Sequence, residues 1–154
     1  MININGKVLW GLENLIVMNF PANGLTSISP NWLKGNHVLD NLILRNNNPS
    51  ALQLNTPLLN GTSSRSFLYL YSCKLSDISS VTFSLILNLK ILNISRNEQV
   101  HLNYDTLSLQ RQLEDRKLEN NPWKCGSEFE VLLCWLQSKL DLSHKRTLKC
   151  WHKN

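Results

Sequence analysis

The sequence predicts an α/β solenoid: short parallel strands stacked side by side, one per repeat, closed at the C-terminal end by a helix. Three observations carry this. A unit recurs, with Asn23, Asn47, Cys73, Asn97 and Asn121 following one another at steps of 24, 26, 24 and 24 residues. Each unit holds a short apolar–polar–apolar alternation just before that position. After Pro122 the repeat stops, and tryptophan, cysteine and a helical pattern replace it in "NNPWKCGSEFEVLLCWL".

The columns travel with the recurring residue. Three positions before it stand Phe20, Leu44, Leu70, Ile94 and Leu118. Five before stand Met18, Leu42, Leu68, Leu92 and Arg116, and eight before stand Leu15, Leu39, Arg65, Leu89 and Leu113. Five after come Ile28, Leu52, Ile78 and Leu102. An LxL alternation is a strand with one buried face. One such strand cannot bury that face alone, but stacked copies share a continuous core. The recurring Asn sits where the chain turns off the strand. Its amide there bonds backbone groups of the neighbouring turn, because a buried amide without partners costs a few kcal/mol. Cys73 fills one of these slots as a small, buried, free thiol.

The rule LxxLxLxxNxLxxI, met best by "LIVMNFPANGLTSI" and "LDNLILRNNN", resembles the leucine-rich repeat over nearly the whole chain. The resemblance implies a right-handed solenoid with a parallel sheet on its concave face. The repeat length near 24 implies the extracellular style of that family. Departures stand out. Arg65 and Arg116 occupy apolar columns, with Arg65 after the insertion "LLNGTSSR" and Arg116 expected to lean outward where the core ends. Pro49 and Gln99 replace the usual Leu after the Asn. Outer segments such as "SPNWLKGNHV" and "SSVTFSLILN" are short and Ser/Asn-rich, which predicts turns and one-turn helices there. The opening "INGKVLWGLENL" aligns with "ISPNWLKGNHVLDNL", Ile4 matching Ile28, so the chain is expected to begin inside a repeat. The expected division is repeats over 1–120, about five strands with a partial first repeat, and a truncated end piece over 121–154.

That end piece resembles the C-terminal cysteine-rich flanking cap of extracellular leucine-rich repeat proteins, as in Toll-like receptors. Pro122 ends strand pairing because it has no N–H. Trp123 takes the leucine slot and is expected to lie across the open end of the core. Ser127 and Glu130 form a capping box, and Phe129, Leu132, Leu133, Leu136 and Leu140 follow at helical spacing. In the family the first cysteine pairs with the third, which implies Cys125–Cys150; the second is replaced by Ser127 and the fourth would fall beyond Asn154. Closing such a loop stabilises by about 3 kcal/mol. The rival pairing is Cys134–Cys150; otherwise Cys134, at the edge of the helix stripe, is expected buried and free. Zinc on cysteines with His144 and His152 lacks the paired spacing that such sites use.

Function classes narrow from there. Charged residues make up 18% of the chain and the net charge is +5. The basic residues gather near the C-terminus (Lys139, Lys145, Arg146, Lys149, Lys153), a solvated face or a meeting point for an acidic partner. No apolar run approaches the roughly 18 residues of a membrane span. No signal peptide is present in "MININGKVLW". No phosphate loop, zinc-protease motif, nucleophile elbow or Cys–His pair appears, so no enzyme, cofactor or metal is expected, and no nucleic-acid partner. Sequons stand at Asn60 and Asn93, which makes both glycosylation candidates in an exported chain. The concave face is expected to carry Arg45, Phe67, Tyr69, Tyr71, Asn93, Arg96 and Lys117. Aromatics and Arg are the residues enriched at binding hot spots. The reading is a non-catalytic, extracellular interaction module for a protein or glycan ligand, part of a receptor or adhesion ectodomain. The alternative is a scaffold or homodimerising solenoid, and behind it an intracellular repeat protein.

Overall fold

The computed structural model describes residues 2–4, 7–28, 35–47, 67–84, 86–139 and 148–151. The elements are β1 (Ile2–Ile4), β2 (Val17–Asn19), β3 (Leu25–Ile28), β4 (Asn41–Ile43), β5 (Phe67–Tyr69), β6 (Ile91–Asn93), α1 (Asp105–Ser108), β7 (Asp115–Lys117) and α2 (Ser127–Lys139). Positions Pro49, Leu52, Asn60, Arg65, Leu140, His144 and His152 lie outside the described residues.

Five strands form one parallel sheet in the order β2-β4-β5-β6-β7, and β1 pairs with β3 in a second, two-stranded one. The chain is therefore a parallel-strand β-solenoid. The repeat spacing sets the register. Met18 pairs with Leu42, Leu42 with Leu68, Leu68 with Leu92 and Leu92 with Arg116. That central row points inward, and its four apolar members are buried. Leu39, Leu44, Leu70, Leu89, Ile94 and Leu118 join them in one continuous core with Phe83, Ile86, Leu107 and Trp123. The second sheet pairs Ile4 with Ile28, the alignment expected from the repeat, though the sequence columns gave no strand there.

Backbone pairing runs past each strand into the turn. Leu44 N–H donates to Tyr69 O, Leu70 to Asn93 O and Ile94 to Lys117 O, at 2.9, 2.8 and 2.9 Å. Two residues on, Asn46 donates to Tyr71 O, Ser72 to Ser95 O and Arg96 to Glu119 O. The residues that turn the chain there, Ala22, Asn46, Ser72, Arg96 and Asn120, all have φ between 54° and 58°. Each immediately precedes the recurring Asn or Cys. A left-handed residue other than Gly costs roughly 1–2 kcal/mol, least for Asn. The repeated hydrogen bonds around the turn hold it there.

Among the described residues, the connections on the outer side are turns and the four-residue α1; most of "SPNWLKGNHV" lies outside them. α2 buries Phe129, Leu132 and Leu136, with Leu133 and Trp135 partly buried against the same core. Its start differs by one residue from the expected capping box. Glu130 N–H donates to Gly126 O at 3.0 Å, which makes Gly126 the N-cap and puts Ser127 in the first turn. Gly is an accepted N-cap, and its use shifts the acidic Glu128 and Glu130 into the positive end of the helix.

Candidate functional site

The open face of the five-stranded sheet is built by the side chains on either side of the buried central row. One row reads Val17, Asn41, Phe67, Ile91, Asp115 and the next Asn19, Ile43, Tyr69, Asn93, Lys117. Where the ladder continues past the strands, Arg45, Tyr71, Ser95 and Glu119 stand next to one another. Phe67, Tyr69 and Tyr71 thus line up along one strand and its extension, and all three are half-buried. Arg45 is exposed beside them. Its Nη1 donates to the Tyr71 hydroxyl at 2.8 Å, and its guanidinium carbon lies 5.9 Å from the Tyr71 ring centroid. Lys117 pairs with Asp115 at 3.8 Å along β7, an exposed contact worth well under 1 kcal/mol by the usual measure.

Two of the expected face residues are placed differently. Asn93 is only 7% exposed, and its Oδ1 accepts from the Ser95 N–H at 3.1 Å and the Ser95 hydroxyl at 2.7 Å. It stands between Tyr69 and Lys117, whose long side chains flank it. That burial leaves no open surface for a glycan, so Asn93 is a structural residue of the face. Arg96 is exposed, but at the left-handed turn beyond β6 and not in either row.

The recurring Asn residues form the expected ladder. Asn97 Oδ1 accepts from Cys73 N–H at 2.8 Å and Leu75 N–H at 3.1 Å; its Nδ2 donates to Leu70 O, Ile94 O and Ser95 O. Asn47 does the same with Asn23 N–H, Leu25 N–H, Phe20 O and Leu44 O. Asn121 accepts from Gln99 N–H and donates to Ile94 O and Leu118 O. Asn23, at the end of the row, is exposed and among the described residues reaches only Pro21 O. Cys73 is buried and free, its Sγ 3.1 Å from Leu44 O. Burial pushes its thiol pKa up from 9.0 to about 11, against a smaller opposing effect of the Asn47 and Asn46 backbone amides.

At the other end, Cys125 and Cys150 form a disulfide with Cα atoms 5.0 Å apart. The bridge takes up Cys150, which the rival pairing with Cys134 would have needed, and leaves Cys134 free. Around it, Lys124 N–H donates to Val100 O at 2.9 Å, Trp151 N–H to Trp123 O at 2.8 Å and Cys125 N–H to Trp151 O at 3.2 Å. Trp123 is 1% exposed; its Nε1 donates to Leu118 O at 3.0 Å and its ring lies 6.3 Å from that of Phe129. Cys134 is free but exposed, not buried: it falls on the solvent side of α2, one residue before Trp135 turns inward. Arg116 does not lean away into solvent either. It occupies the inward row half-buried, its guanidinium 5.4 Å from the Trp135 ring, which Tyr104 meets edge-on at 5.9 Å. Burial lowers its pKa below the ordinary arginine value, opposed by the Asp115 charge.

Two further buried amides, Asn36 and Gln110, fall outside the repeat columns, and a third, Gln99, is the column departure noted above. Asn36 donates to Leu12 O at 2.7 Å and Leu15 O at 3.2 Å and accepts from Leu39 N–H, tying the first two repeats on the side opposite the ladder. Gln110 Nε2 donates to Phe83 O at 3.2 Å in the corresponding place later in the chain. Gln99 is 0% exposed, and neither its Oε1 nor its Nε2 has a hydrogen-bond partner. Their spacing, Asn36 and Gln110 each three residues before a column leucine, was the available signal.

No family model matches the sequence, and no curated protein does either. Among solved structures, the chain is similar to a chain of a complex described as the octameric complex of Latrophilin 3 (Lec, Olf), Unc5D (Ig, Ig2, TSP1) and FLRT2 (LRR). The TM-score is 0.57 at 19% identity, over 90% of this chain and 48% of that one. The chain thus spans about half the length of that structure, and at this identity the likeness is one of fold.

Proposed function

We propose that the chain is a non-catalytic, extracellular protein-interaction module: a leucine-rich repeat solenoid over 1–120, capped by 121–154, that binds a partner on the concave face of its sheet. The observation that carries this is the trio Phe67, Tyr69 and Tyr71 beside Arg45 on the open face, where the core has no use for them. Large aromatics left half-exposed next to an Arg have the composition of a binding hot spot. The Cys125–Cys150 bridge supports an oxidising compartment. The neighbour in solved structures comes from an octameric complex of three different proteins, which supports a protein over a small-molecule partner. On this reading α2 and Trp123 act as the cap that keeps the last repeat's core from water, and Arg45, Phe67, Tyr69, Tyr71, Arg96 and Lys117 are the contact residues.

A tetramerised form of the chain screened against a panel of displayed ectodomains tests it. Partners found this way should bind a Phe67→Ala/Tyr69→Ala variant at least tenfold more weakly, with the thermal transition unchanged. Undiminished binding refutes the concave-face reading.

A homodimerising solenoid is the second reading. Val8, Trp10, Leu12, Ile16 and Val17 are all exposed in and just before β2, the terminal strand of the five-stranded sheet. Sedimentation equilibrium separates the two, since Ile16→Glu would dissociate a dimer formed there and leave concave-face binding intact.

A further inference from the structure

We infer that Arg45 and Tyr71 form a recognition point for a carboxylate, so that the partner docks an extended acidic segment of protein across β4 and β5. This rests on the concave-face reading and names the chemistry of the partner there.

The guanidinium is already positioned. Its Nη1 donates to the Tyr71 hydroxyl at 2.8 Å, and the Tyr71 ring lies beneath it at 5.9 Å. Among the described residues one donor of its five is engaged, and the planar fork matches a carboxylate. Tyr71 accepts from Arg45, so the phenol's own proton points away from the guanidinium as a second donor for the same anion. Holding both groups in place beforehand removes part of the ordering cost of binding.

The charge is also uncompensated. No carboxylate among the described residues pairs with Arg45, whereas Lys117 on the same sheet is matched by Asp115. Lys74 and Arg96 are exposed at the left-handed turns beyond β5 and β6 and extend the basic edge. Glu98 and Glu119 lie towards β6 and β7, Asp77 is exposed three residues beyond Lys74, and Asp40 precedes β4 at the end opposite Arg45, so the charge in contact with the aromatic row is that of Arg45. The chain's net charge of +5 favours approach of an acidic partner. Phe67 and Tyr69, half-buried in the adjoining rows, offer an apolar floor next to the anion site. Arg–carboxylate contacts of this kind contribute about ten- to a hundred-fold in affinity.

The test is selection of displayed random twelve-residue peptides on the disulfide-intact chain, followed by titration of synthetic copies. The expected result is enrichment of Asp and Glu among the selected peptides. Their affinity should fall at least tenfold on changing the peptide's acidic residue to its amide, and equally in Arg45→Gln, which should melt as the parent does. Tyr71→Phe, which keeps the ring and loses the hydroxyl, should weaken binding severalfold. Peptides that depend on Tyr69 but ignore both the amide change and Arg45→Gln overturn the carboxylate site and leave the concave-face reading standing. Peptides indifferent to both Tyr69→Ala and Arg45→Gln overturn the two together. Arg45-dependent capture of heparin without acidic peptides also overturns it, since the ligand would then be a sulfated glycan.

Discussion

Asn97→Ala is expected to be among the most damaging single changes in this chain, and the ladder geometry sets its size. The side chain accepts from two buried amides, Cys73 N–H at 2.8 Å and Leu75 N–H at 3.1 Å, and donates to Leu70 O, Ile94 O and Ser95 O. Alanine leaves both amides in a water-free interior with nothing to bond. Each stranded buried donor costs about 1–3 kcal/mol, so the pair alone costs about 4 kcal/mol. The carbonyls lose less, because a carbonyl keeps a second lone pair for other partners. In a domain of this size about 4 kcal/mol is a large share of a total of about 5–15 kcal/mol and lowers the melting temperature by roughly 8–16 °C. Asn23→Ala is the internal control, since Asn23 is exposed and among the described residues its side chain reaches only Pro21 O. It should cost under about 1 kcal/mol. Urea unfolding followed by circular dichroism measures both, with an unchanged m-value showing that the same surface unfolds. A loss for Asn97→Ala no greater than for Asn23→Ala refutes the ladder as a source of stability.

Replacing both Cys125 and Cys150 by Ser opens a loop with a sequence separation of 25 and should cost about 3 kcal/mol, read by chemical denaturation of the variant beside the parent. Cys134 should react with a thiol reagent in the native protein within minutes, while Cys73 reacts only on unfolding; equal labelling of both contradicts the burial of Cys73. Because the folded Cys73 thiol is raised from 9.0 to about 11, the folded state holds its proton more tightly. Stability from this source is fully present below pH 9 and is lost as pH rises towards 11, a decline that Cys73→Ala should remove in pH-dependent melting. Gln99→Leu should raise stability by about 1–3 kcal/mol, because it replaces a buried amide lacking partners with the residue its column ordinarily holds; a destabilised variant would show that the amide is bonded to internal water.

What was legible in the sequence is what is local and periodic. The LxL alternation fixed which strand residues point inward, and the constant step fixed their register, so Met18, Leu42, Leu68 and Leu92 meet as the columns align them. What escaped was set by neighbours from other repeats. Asn93 alternates outward like any face residue, yet in the register between Tyr69 and Lys117 it is buried and bonds Ser95, and no single-strand pattern contains that. Cys134 sits at the boundary of a helical stripe, where one position of rotation decides between core and solvent. Arg116 reads as a defect in an apolar column. The structure gives it an aromatic face, Trp135, that lies 19 residues further along and reaches it only because α2 follows the last strand. The left-handed turn before each ladder residue was equally hidden, because Ala22, Ser72 and Arg96 carry no Gly-like mark.

Cys73, the departure in the ladder column, keeps one half of the ladder's work and gives up the other. Asn47 accepts from Asn23 N–H and Leu25 N–H, and Asn97 accepts from Cys73 N–H and Leu75 N–H. A thiol is a weak acceptor, and the groups that act on the Cys73 sulfur are the backbone amides of Asn47 and Asn46. The donating half is retained. The Cys73 Sγ lies 3.1 Å from Leu44 O, the carbonyl that corresponds to Phe20 O for Asn47 and to Leu70 O for Asn97. The thiol thus holds the bond back to the preceding repeat while surrendering the strong acceptor that an amide side chain supplies.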